Sequence, residues 1–299
     1  MAIEETILVP PRTSRNYVLM AREVFRGVPI PALLFLVLIL VVGMAAPWVA
    51  PHDPRAGDLA RSLLPPVWSA EGTWTYPLGT DQQGRDILSR LIAGARVSLL
   101  VGFTAVGVSG SIGLLLALVA GFYGGWADAV VGRLIDVMLA LPFLLIALVL
   151  ATILEPGVRT VIIVLGLTGW ATYARILRGE VLRIRSQDYL KLARVGGCST
   201  TRILFKYITP NLTNTFVVLA SLQLGVTILS EATLSFLGIG VRAPEAAWGL
   251  MLSEGRQYIT FAWWLVVLPG VAIVLTVLSI NMLGDWLRVR LDPRLRQVG

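Results

Sequence analysis

Residues able to do covalent or metal chemistry are scarce in this chain. Cys198 is its single cysteine and His52 its single histidine, so no internal disulfide can form and no Cys/His cluster offers ligands for zinc or haem. His52 reads as a loop residue beside a proline-rich exit from an apolar run. One stretch imitates a phosphate loop. Gly79 to Asp86 reads GTDQQGRD, but Arg85 and Asp86 stand where a phosphate loop continues with Lys and Ser or Thr. No strand pattern precedes it, and the carboxylates of Asp81 and Asp86 repel phosphate, so it reads as a turn. Glu231 shares a helical face with Gln223 and Thr227 in an apolar run. Such groups either hydrogen-bond between helices, with Glu231 at a watered end, or line a path through the membrane. With no nucleophile–base pair and no metal set, the roles left to these groups are non-covalent.

The elements that must position these groups are apolar. The chain has 299 residues, 56% hydrophobic and 14% charged, with a mean hydropathy of +0.77. Soluble domains carry about 25% charged residues, so this is an all-α membrane protein. Six uncharged stretches predict six spans: Ile30–Ala50, Val97–Tyr123, Val137–Leu154, Thr160–Ala174, Tyr207–Ser230 and Tyr258–Gly284. The fourth is short and must borrow Val158 or Ile176 and Leu177 beyond its flanking arginines, which can snorkel. Pro142 predicts a kink in the third. Ser109, Gly113, Ala117 and Gly121, at intervals of four, predict a close-packing helix face.

The formal net charge is +7, but its distribution argues against nucleic acid. Residues 175–206 carry eight Lys and Arg against two acids, whereas 51–96 and 236–257 each balance to zero. By the positive-inside rule the 175–206 loop is cytoplasmic, as are both termini. This divides the chain into a cytoplasmic segment 1–29, a first span 30–50, an extracytoplasmic segment 51–96, a core of five spans over 97–284 and a cytoplasmic tail 285–299. Within 51–96, Ile87, Leu88, Leu91 and Ile92 predict an amphipathic helix lying on the bilayer surface or under the bundle. A further surface helix is expected near Trp248–Tyr258, and Trp263 and Trp264 are expected at the interface.

The basic loop has structure of its own. Ser186 to Pro210, SQDYLKLARVGGCSTTRILFKYITP, reads as two short helices. Ser186 caps the first, which ends at Gly196 and Gly197 where φ can turn positive. Ser199 or Thr200 caps the second, whose Ile203, Leu204, Tyr207 and Ile208 fall on one face.

This loop resembles the coupling loop of bacterial ABC-importer permeases, whose pattern is Glu-Ala-Ala, three residues, Gly, then Pro thirteen residues on. Ala193, Gly197 and Pro210 match, while Lys191 and Leu192 replace the usual Glu and Ala. Three further stretches agree: PLGTDQQGRDILSRLIAGARVSL (Pro77 to Leu99); LSFLGIGV (Leu234 to Val241) with WGLMLSEGR (Trp248 to Arg256); and LGDWLRVRLDPR (Leu283 to Arg294). Together they are similar to the C-type permeases of dipeptide, oligopeptide and nickel importers, from about residue 25 onward.

The resemblance implies a type I importer permease fold in the inner membrane, forming half of a translocation pathway with a homologous second permease. It implies two ABC ATPase subunits, where ATP and Mg act, and an extracytoplasmic substrate-binding protein. This chain itself would bind no cofactor or metal and would be no enzyme. Tyr189, Leu190, Ala193, Gly197, Ile203 and Leu204 are the expected ATPase-coupling residues, and Gln223, Thr227 and Glu231 the candidates for pathway lining. The substrate expected is a dipeptide or oligopeptide, with a nickel or other metal chelate as the alternative. An ion-coupled secondary transporter would show inverted repeats and intramembrane charges, and a channel a selectivity ring. No convincing repeat and no ring is visible.

Overall fold

A computed structural model describes residues 27–291. Most of the N-terminal segment and the end of the basic tail, with Asp292 to Arg294 of the last matched stretch, lie outside the described residues. Helix α1 (Ile30–Met44) is followed by the short α2 (Ala46–Val49), then a mostly irregular segment to Asp86. The bundle consists of α3 (Ile87–Tyr123), α4 (Gly125–Ala140), α5 (Phe143–Ile153), α6 (Val158–Arg185), α9 (Thr209–Phe236) and α11 (Trp264–Leu291). Between α6 and α9 lie α7 (Asp188–Val195), α8 (Thr200–Arg202) and a π-helical turn over Ile203–Ile208; α10 (Trp248–Gly255) precedes α11.

Among the described residues, four helices are long and apolar enough to cross a membrane: α3, α6, α9 with its leading turn, and α11. The bent pair α4–α5 makes up to five. The expected first span is a 15-residue helix ending at Met44 plus a short continuation that restarts beyond Ala45, with Pro47 in its first turn. The expected third span is not one kinked helix but two helices meeting at 90°. Leu141 before Pro142 is extended, with φ −83° and ψ 131°, the conformation a residue before proline prefers. A helix cannot run through it.

The second span is longer than its apolar run. The expected surface helix at Ile87 does not stop before Val97; it is the first turns of α3, 37 residues in all, about 55 Å long against a hydrocarbon core of about 30 Å. Asp86 caps its start, accepting from the Ser89 N–H at 3.0 Å, and nothing between Ile92 and Val97 breaks it. Helix α10 likewise does not lie on the surface: Trp248 and Met251 are buried, and the Trp248 indole donates to the Leu91 carbonyl at 3.0 Å. Gly94 leaves room for that indole, since a Cβ there would sit 2.7 Å from Trp248 Cδ1. Of the two expected interfacial tryptophans, Trp264 is buried and Trp263 exposed.

The expected small-residue face is the main contact within the chain. Ser109, Gly113, Ala117 and Gly121 are all buried. A Cβ on Gly113 would lie 2.5 Å from Tyr173 Cβ and 2.7 Å from the Trp170 carbonyl; one on Gly121 would lie 2.6 Å from Val181 Cβ. The backbones of α3 and α6 therefore touch. Gly113→Leu should separate them, costing more than the roughly 1–3 kcal/mol of ordinary overpacking. We expect the purified protein to elute as aggregate or to lose its cooperative thermal transition, while Gly107→Leu, where a Cβ meets nothing within 4 Å, behaves as wild type.

Candidate functional site

The described chain has two polar ends. At the one formed by α10 and the start of α3, the stretch that imitates a phosphate loop closes on itself. Gly84 holds φ +72°, and a Cβ there would fall 1.8 Å from the Asp58 carbonyl oxygen, so only glycine fits. Asp81 accepts the N–H groups of Gln83 at 2.8 Å and Arg85 at 3.0 Å, and the Arg85 Nε–H at 2.6 Å. It also accepts from Arg90. Glu254 of α10 meets Arg85 and Arg90 at 2.8 Å each. The two arginines are about 2% and 1% exposed, a degree of burial charged groups reach only when paired. His52 joins this end: its N–H donates to Ser89 Oγ at 2.9 Å, and its ring lies 3.3 Å from Asp86 and stacks on Tyr76. It is more than a loop residue. The cluster of Asp81, Arg85, Arg90 and Glu254 joins residues more than 160 positions apart in sequence, which no local pattern could reveal.

Glu231 lies toward the same end of α9. It is 0% exposed and accepts from Ser98 Oγ of α3 at 2.9 Å and Ser235 Oγ at 2.8 Å; Ser235 in turn accepts the Val241 N–H at 3.1 Å. The watered end expected for it is closed. Thr227 and Gln223, one and two turns away, are half-buried.

At the opposite end lies the basic loop. Helix α6 runs past its expected end to Arg185, so Ser186 closes that helix, donating to the Arg183 carbonyl at 2.8 Å, and Gln187 occupies the N-cap of α7. Helix α7 ends in a Schellman motif: the Gly197 N–H reaches the Arg194 carbonyl and the Cys198 N–H the Ala193 carbonyl, both at 3.0 Å. Gly197 has φ +76°, the left-handed conformation this motif requires. Ser199 caps the second helix through the Arg202 N–H at 3.3 Å. The following turn widens into a π-helix, with the Thr209 N–H bonded to the Leu204 carbonyl. Pro210 accounts for it: a proline ring clashes with the carbonyl four residues back and supplies no N–H.

Of the expected coupling residues, Leu190 and Ile203 are 0% and 2% exposed and pack with Ile208 and Leu212 against Phe122, Val181 and Ile184. Leu204 and Ala193 are half-buried; Gly197 is exposed. Tyr189 is exposed and forms a row on one face of α7 with Leu192 and Val195, which are not among the expected coupling residues. Leu192 and Val195 are 70% and 88% exposed, and Phe205 is 69% exposed. Lys191 and Arg194 flank this row; Lys191 donates to Asp188 at 2.8 Å, which holds the Asp188 carboxyl below the usual carboxylate range. Arg178 with Asp128, and Arg175 with Asp136 at 2.6 Å, tie α6 to α4 near this end.

A bundle of apolar helices long enough to cross a membrane, carrying a basic two-helix loop at one end, defines an integral membrane protein. The family described as binding-protein-dependent transport system inner membrane component matches residues 113–297, and the chain belongs to it: it is the permease subunit of an ABC importer. Among its relatives is the di/tripeptide transport system permease protein DppC of Pseudomonas aeruginosa, 44% identical over 88% of this chain and 87% of that one. The dipeptide transport system permease protein DppC of Escherichia coli is 42% identical over 89% and 88%. A solved inward-facing structure of the MetNI methionine ABC transporter has the same fold, with a TM-score of 0.51 and 17% identity over 67% of this chain and 93% of that one.

The burial pattern of the loop has a direct test. Leu190→Ala should lower stability by about 2–5 kcal/mol through lost packing, whereas Leu192→Ala should stay within about 0.5 kcal/mol of wild type. Thermal unfolding of the purified protein measures both. Equal shifts would contradict the packing described for α7.

Proposed function

We propose that this chain is the C-type permease of an importer for dipeptides, working with a homologous second permease, two ATPase subunits and an extracytoplasmic binding protein. The observation that carries the substrate class is its similarity, over nearly nine-tenths of its length, to permeases named for di- and tripeptide or dipeptide transport. Six spans fit this reading: α1 with α2, α3, the bent pair α4–α5, α6, α9 and α11. With both termini in the cytoplasm, the basic loop faces the ATPases, as its charge excess requires.

In this reading Tyr189, Leu192, Val195 and Phe205 form the docking face. Exposed apolar residues grouped in this way mark a contact surface. Leu190 and Ile203 act beneath it: they fasten the loop to α3, α6 and α9, so that displacement by a closing pair of ATPases moves the bundle instead of bending the loop. Leu204 and Ala193 complete this support, and Gly197 sets the angle between the two short helices. Hydrolysis of ATP, with its Mg, takes place in the partners. Gln223 and Thr227 are proposed as pathway residues of α9, with Glu231 behind them as the brace to α3.

Reconstituted into vesicles with its partners, the protein should import a labelled dipeptide only when ATP and the binding protein are present. Nickel chelate uptake without dipeptide uptake would assign the other substrate class. Leu192→Glu with Val195→Glu should leave the permease pair in the membrane but reduce ATPase association and uptake by about tenfold or more, since each buries a charge in an apolar contact. Gly197→Val should lower uptake through strain at positive φ. Undiminished uptake in both variants would remove the loop from the coupling route.

A further inference from the structure

A cavity of about 700 Å3 lies between the exit of the first helix and the start of the bundle, within the roughly 300–1,000 Å3 range of small-molecule sites. Its apolar wall is Pro47, Val97, Leu100 and Val158, and its charged wall is Asp53, Arg55, Arg96 and Glu245. The charges are not equally engaged. Arg55 and Glu245 pair at 2.5 Å, and the His52 ring lies 3.3 Å from Asp86. Asp53 uses Oδ1 to accept the Arg55 N–H at 2.9 Å. Its Oδ2 and the whole Arg96 guanidinium have no partner among the described residues.

Arg96 stands where the polar start of α3 gives way to the uncharged run from Val97, the depth at which an arginine meets headgroups. It also heads an exposed stripe. Arg96, Leu100, Phe103 and Gly107, spaced by four, three and four residues, are all exposed and so share one helix face. At Gly107 a Cβ would meet nothing within 4 Å, so this face is open below the cavity. An unpaired guanidinium above an apolar, open helix face is complementary to a phosphate attached to an acyl chain. The Asp53 carboxylate in the same wall, with Oδ2 uncommitted, is complementary to an ammonium.

We propose that this cavity is a specific site for one glycerophospholipid with an ethanolamine headgroup. Arg96 receives the phosphate, to which a guanidinium binds through paired N–H donors. Asp53 receives the ammonium, and an acyl chain lies along Leu100, Phe103 and Gly107. Phosphatidylglycerol carries the same phosphate but an uncharged glycerol in place of the ammonium, so it leaves the Asp53 carboxylate without a counter-charge, and the site discriminates between the two lipids. The occupant would fill the gap between α2, with the segment that follows it, and the start of α3, independently of which solute the importer carries.

The test is native mass spectrometry of the assembled transporter extracted in mild detergent. Wild type and Arg96→Lys should retain phosphatidylethanolamine, whereas Arg96→Gln should retain it about tenfold less. Asp53→Asn should shift retention toward phosphatidylglycerol. Equal retention by wild type and Arg96→Gln would overturn the proposal, as would absence of lipid from wild type, the result expected if the second permease covers the stripe. Should Arg96→Gln fail to assemble, delipidated wild type decides the question. Added phosphatidylethanolamine should raise its melting temperature more than phosphatidylglycerol does. An equal rise with inorganic phosphate or a zwitterionic dipeptide would instead assign the cavity to a soluble ligand.

Discussion

The contact on which this chain depends is the backbone-to-backbone approach of α3 and α6. Inside a bilayer apolar side chains gain nothing from leaving lipid, so helices associate through dispersion and close fit. Gly113 and Gly121 permit that fit, with Tyr173 and Val181 seated where side chains would otherwise stand. The other elements build outward from this pair. Leu177 of α6 shares a core with Ile228 of α9 and Ile280 of α11. Val161 and Val164 share another with Ala147 of α5. The loop rests on a third, formed where α3 and α6 end.

Both ends of the pair are then fastened, by different physics. At the α10 end the fastening is ionic: Asp81 and Glu254 neutralise two buried arginines. Such an arrangement is of uncertain net stability but strongly disfavours losing any one member. It sets the irregular segment before α3 and the short α10 in a single relation to each other. At the other end the fastening is apolar, through Leu190, Ile203 and Ile208, with ion pairs from α6 to α4 beside it. A part that must transmit force benefits from such packing, because packed interiors transmit strain.

The 90° break between α4 and α5 shows how one residue redirects a span. Pro142 disfavours the helical conformation of Leu141, which is extended here, so the apolar run that reads as one helix becomes two. The π-helical turn before Pro210 is a milder form of the same constraint, absorbed by widening one turn.

The sequence by itself determined the membrane character, the apolar runs, the small-residue face, the Gly197 turn and the family, because each depends on composition or on spacing within a few turns. It misjudged the ends of elements. The start of α3 looked like a separate helix because polarity changes at Val97, but a helix stops for backbone reasons and none exists there. Trp264 looked interfacial because tryptophan usually is, and Trp248 looked like part of a surface helix, yet each is enclosed by partners distant in sequence. Only the tertiary structure decided that Leu190 and Ile203 face inward while Leu192 and Val195 face out. The reason is that α7 is too short for its periodicity to show which side meets the bundle. It alone also placed Glu254 on Arg85 and Arg90, and Ser98 on Glu231. Those partners are separated by 133 to 169 residues, and pairing across such distances follows from how the helices pack.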